Sequence, residues 1–74
     1  MEMEIIRILD ECISLAYQLM ARMEEDNADI ASCISGPIMR EYQKGNNVAI
    51  DKIQYMVHQL KLLQEEQTMA LLQS

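Results

Sequence analysis

The stretch Val48–Leu63, VAIDKIQYMVHQLKLL, constrains the chain more than any other. Ala49, Ile53, Met56, Leu60 and Leu63 recur at alternating steps of four and three, and Ile50 and Val57, with Lys61, form a second row beside them. Asp51, Lys52, Gln54 and Gln59 fill the remaining arc. This spacing predicts an amphipathic helix whose apolar stripe is two rows wide. One neighbouring helix covers about one row, so a stripe this wide needs a further partner.

The first half of the chain repeats the pattern. Ile5, Leu9, Cys12, Ala16, Leu19 and Met23 form one row, and Ile6, Ile13 and Met20 a second. Glu2 and Glu4 favour a helix start by complementing the positive end of the helix dipole. The polar run Glu24–Asp29 interrupts the stripe, and the register resumes at Ile30, Cys33 and Ile34. Either the first helix runs on to about Ser35, or it breaks near Asn27 and restarts.

Ser35-Gly36-Pro37 is the predicted turn. Glycine suits a left-handed residue past a helix end, and proline suits the first turn of the next helix. Gly45-Asn46-Asn47 is the competing break, since all three residues are poor in a helix interior. The Gly36-Pro37 turn leaves two segments of similar length in unbroken phase. The expected fold is therefore all-α: one antiparallel helical hairpin spanning residues 1–74, completed by oligomerisation or by a partner. The second row on each helix is expected to be left over for that partner. The candidate partner-binding residues are Ile13 and Met20 on the first helix and Tyr42, Ile50, Ile53, Tyr55, Met56, Val57 and Leu60 on the second.

Size and charge narrow the function. A chain of 74 residues buries only about 60% of the surface that its unfolded form exposes, so its stability alone is marginal. The net charge is −6. Residues 1–36 hold eight acids against Arg7 and Arg22, while the second half balances four acids with four bases. Such a chain repels phosphates and anionic lipid, so neither nucleic acid nor membrane is an expected partner. Met1–Glu4 is acidic where a secretory leader carries a basic region, and no run nears the roughly 18 apolar residues of a membrane span. Cys12 and Cys33 have no metal-type spacing and read as reduced thiols of a cytoplasmic protein.

Chemistry finds no foothold. His58 has no Cys or second His beside it in sequence, Glu24–Asp29 lacks calcium-loop spacing, and there is no glycine-rich phosphate loop. No enzyme, metal site or cofactor is expected. The three tyrosines and seven methionines suit adaptable contact surfaces better than catalysis.

Arg40-Glu41-Tyr42-Gln43, followed by Ala49-Ile50, Ile53 and Met56-Val57, resembles the small needle-protein co-chaperones of bacterial type III secretion. The size and hairpin plan of the whole chain are similar to that family. The resemblance implies a cytoplasmic protein without activity of its own. It would bind a helical-repeat chaperone and with it keep a needle subunit from polymerising early. The residue pattern itself leaves a second reading open, a homodimer in which two hairpins close a four-helix bundle, as a regulator or a phage-encoded inhibitor.

Overall fold

A computed structural model describes residues 2–73 and shows an all-α antiparallel hairpin. Helix α1 spans Glu2–Cys33 and helix α2 spans Pro37–Gln73. Gly36 lies in the left-handed region at φ 91°, where an L side chain is strained. Its carbonyl accepts the Arg40 N–H at 3.1 Å. Gly36 thus caps α2 and Pro37 takes the first helical position, where its missing N–H is not needed. The turn lies where the sequence places it.

Both uncertain segments are helical. Glu24–Asp29 continues α1, and Gly45–Asn47 continues α2 without a break. Asn27 explains how both polar stretches are accommodated. Its Nδ2 donates to Asn47 Oδ1 at 3.1 Å, and its Oδ1 accepts from Asn46 Nδ2 at 3.0 Å. Gln43 Nε2 donates to the Asn27 carbonyl at 3.0 Å. A polar layer of this kind satisfies its own groups and fixes the register of two helices.

The seam between the helices follows heptad spacing. On α1 it runs through Ile6, Leu9, Ile13, Ala16, Met20, Met23, Asn27 and Ile30; on α2 through Gln43, Asn46, Ile50, Ile53, Val57, Leu60, Gln64, Gln67 and Leu71, all buried or half-buried. The core cluster is Ile13, Met20, Ile50 and Val57, with Ala16, Met23, Ile53 and Leu60 packed against it. Alternating steps of three and four keep such a row facing one partner helix.

This corrects the expectation for the second rows. Ile13, Met20, Ile50 and Val57 are not a spare surface; they are covered by the chain itself. Ile53 and Leu60 are half-buried beside them. The physical reason is visible when each row is followed to the end of α1. The row through Ile6 and Ile13 continues to Asn27 and Ile30. Its rival through Ile5, Cys12 and Leu19 continues to Arg22, Asp26 and Asp29. Choosing the rival would bury Arg22 and Asp29, both exposed here, at a cost of several kcal/mol.

The molecule measures 57 × 15 × 12 Å with a radius of gyration of 16.9 Å. A globular chain of this length has about 11 Å. A rod of two helices has no further layer, so the outer rows face solvent.

Candidate functional site

The outer surface has two unlike sides, fixed by the contacts between the helices. Tyr17 and Lys61 meet on one side: Lys61 Nζ donates to the Tyr17 hydroxyl at 2.6 Å and lies 5.1 Å from the ring centroid. Asp26, Asp29, Ile30, Cys33 and Tyr42 line a hollow of about 220 Å³ on the other. In an antiparallel pair each side of the seam keeps to its own heptad positions along the whole length. Stepping by sevens from Tyr17 and Lys61 reaches Met3, Asp10, Glu24 and Ala31 on α1, and Arg40, Asn47, Gln54 and Thr68 on α2. Apart from Met3 and Ala31, that side is polar.

Stepping by sevens from Cys33 and Tyr42 reaches Asp26 and then Leu19, Cys12 and Ile5 on α1, and Ala49, Met56, Leu63 and Ala70 on α2. Ile8 and Leu15 lie beside the first set. Tyr55, Leu62 and Met69 carry the apolar surface round the outer flank of α2. Leu15 is 62% exposed, Met56 57% and Tyr55 67%. Ten large side chains on this side, each more than 40% exposed, present on the order of 1,000 Å². A standard protein interface takes about 800 Å² from each partner. An apolar patch of that size on so small a chain is a candidate interaction surface.

Of the residues singled out from the sequence, Tyr42, Tyr55 and Met56 lie on this surface. Ile13, Met20, Ile50 and Val57 are in the core, with Ile53 and Leu60 at its edge. Ile5, Ile8, Leu15, Leu19, Leu62, Leu63 and Met69 belong to the surface and were missing from the sequence-based set. The signal for the α1 members was present in the charges that end their row at Arg22 and Asp26.

The polar side offers a shallow hollow of about 280 Å³ lined by Tyr17, Met20, Gln54, Val57, His58 and Lys61. No acidic side chain lines it to pair with His58. Cys12 and Cys33 are free and exposed. Among the described residues, no group of three or more His, Cys, Asp or Glu is placed to hold a metal ion, and no helix is long and apolar enough to cross a membrane.

The fold and its exposed side define a class, a helical hairpin with one apolar and one polar long side. In comparisons with known proteins the chain matches no family model, no curated protein and no solved structure.

Proposed function

We propose that this chain acts by binding protein rather than by catalysis, as a small acidic co-chaperone or adaptor of type III secretion in the bacterial cytoplasm. Its apolar side docks on a helical partner, a helical-repeat chaperone, and the pair keeps a needle subunit unpolymerised. The observation that carries the binding reading is the continuous apolar side formed by Ile5, Leu15 and Leu19 with Met56 and Leu63, exposed while the opposite side, Met3 aside, is mostly polar. The identity of the partners rests on the resemblance carried by Arg40–Gln43 and the Ala49–Val57 ladder. In this hairpin Tyr42 stands on the apolar side and Gln43 in the seam.

Co-expression with a helical-repeat chaperone and a needle subunit of a type III secretion system tests the proposal. The expected result is a complex that survives gel filtration, and its loss in Met56→Asp without loss of helicity. A needle subunit that polymerises equally fast with and without the chain would sink the co-chaperone reading.

A further inference from the structure

We infer that in the absence of another partner the apolar side closes on a second copy of this chain, across a two-fold axis level with Cys12 and Leu63. The inference uses the same surface as the adaptor reading but does not depend on it. An isologous interface must be self-complementary, each patch meeting its own image. This one is. The α1 stripe Ile5, Ile8, Cys12, Leu15, Leu19 reads nearly the same in both directions about Cys12. An antiparallel copy sets Ile5 against Leu19 of the second copy, Ile8 against its Leu15, and Cys12 against its counterpart.

On the second helix the row from Tyr42 through Ala49 runs on into Met56, Leu63 and Ala70, and Leu63 is the middle one of the three that fall in the overlap. Gln64 Nε2 reaches the Ile6 carbonyl at 3.3 Å, and Lys61 reaches Tyr17. Between them those contacts put Leu62 about level with Cys12, one residue from Leu63. One axis therefore serves both helices. Without Tyr42, which lies in the overhang with Cys33, the other nine side chains still expose on the order of 1,000 Å² per chain, against the roughly 800 Å² that a standard interface takes from each partner.

Charge agrees with this arrangement. The stripe ends at Arg22 and Asp26, so overlap is confined to the open half of each hairpin. The two turn ends, carrying Glu24, Glu25, Asp26 and Asp29, point away from each other at opposite ends of the assembly. One like-charge contact remains, Glu11 near its counterpart beside the axis. Added salt screens it.

The full 74-residue chain serves for the test. Sedimentation equilibrium should show a monomer–dimer equilibrium that tightens with added sodium chloride. A short bis-maleimide should join two chains in the native protein and in Cys33→Ser, but not in Cys12→Ser, because the Cys33 thiols lie in the overhanging ends. Leu15→Asp should keep its circular dichroism and weaken the dimer at least ~100-fold, since each copy then buries a charge. A monomer at every concentration reached, or crosslinking through Cys33 as readily as through Cys12, overturns the inference. So does a Leu15→Asp variant that stays dimeric. A monomer that still holds a helical-repeat chaperone overturns the dimer and leaves the adaptor reading standing. A dimer that no such chaperone engages does the reverse.

Discussion

Val57 is the residue at which the inner and outer rows are best told apart. It is 4% exposed and belongs to the core cluster with Ile13, Met20 and Ile50, whereas Tyr55, two residues earlier, is 67% exposed. Val57→Ala removes two buried methyl groups. At about 0.8 kcal/mol each, plus the cavity left between two helices that relax only in part, the cost is about 2 kcal/mol. Tyr55→Ala leaves the seam untouched and should change the stability of the hairpin by less than about 0.5 kcal/mol. A chain of this size has on the order of 4–11 kcal/mol in all, so the first change is large and the second is not. Urea unfolding followed by far-ultraviolet circular dichroism measures both, at one fixed protein concentration, because self-association would add to apparent stability. Val57→Ala should lower the midpoint by about 1 M or more, given the slopes of small proteins. If its midpoint stays put while Tyr55→Ala unfolds early, the seam has been assigned to the wrong row.

Asn27→Ala removes two side-chain hydrogen bonds, those with Asn46 and Asn47, and should cost about 1–2 kcal/mol in the same urea titration. The two glycines should respond with opposite signs. A Cβ at Gly45 meets nothing within 4 Å and the position is inside α2, so Gly45→Ala should raise stability by about 0.5–1 kcal/mol. A Cβ at Gly36 also meets nothing, but its positive φ strains any L residue, so Gly36→Ala should lower stability by about 1 kcal/mol. Thermal melts of the pair check the contrast, and shifts of the same sign would contradict it.

Much of the fold is legible in the residues alone. Steps of three and four from Ile5 to Met23 and from Ala49 to Leu63 call for helices, and Gly36-Pro37 calls for the turn between them. Such signals are local, because helix periodicity and turn chemistry act over a few residues. Two segments read ambiguously: Glu24–Asp29 interrupts the apolar stripe, and Gly45–Asn47 consists of poor helix formers. They become helical because Asn27 finds Asn46 and Asn47 across the seam, a contact between residues about twenty apart that no local pattern states.

The candidate surface was only half legible. Tyr42, Tyr55 and Met56 were found by their outward or interface-prone character, while Ile8 and Leu15 were not. Both rows on α1 are apolar over the first three heptads, so hydrophobicity does not rank them. The sequence by itself determined that there would be two long helices, one reversal and more apolar surface than a single pairing covers. Only the tertiary structure decided which row is inside. Both helices had to share one seam over their full length, and only the row leading to Asn27 and Ile30 runs that far without burying Arg22 and Asp29.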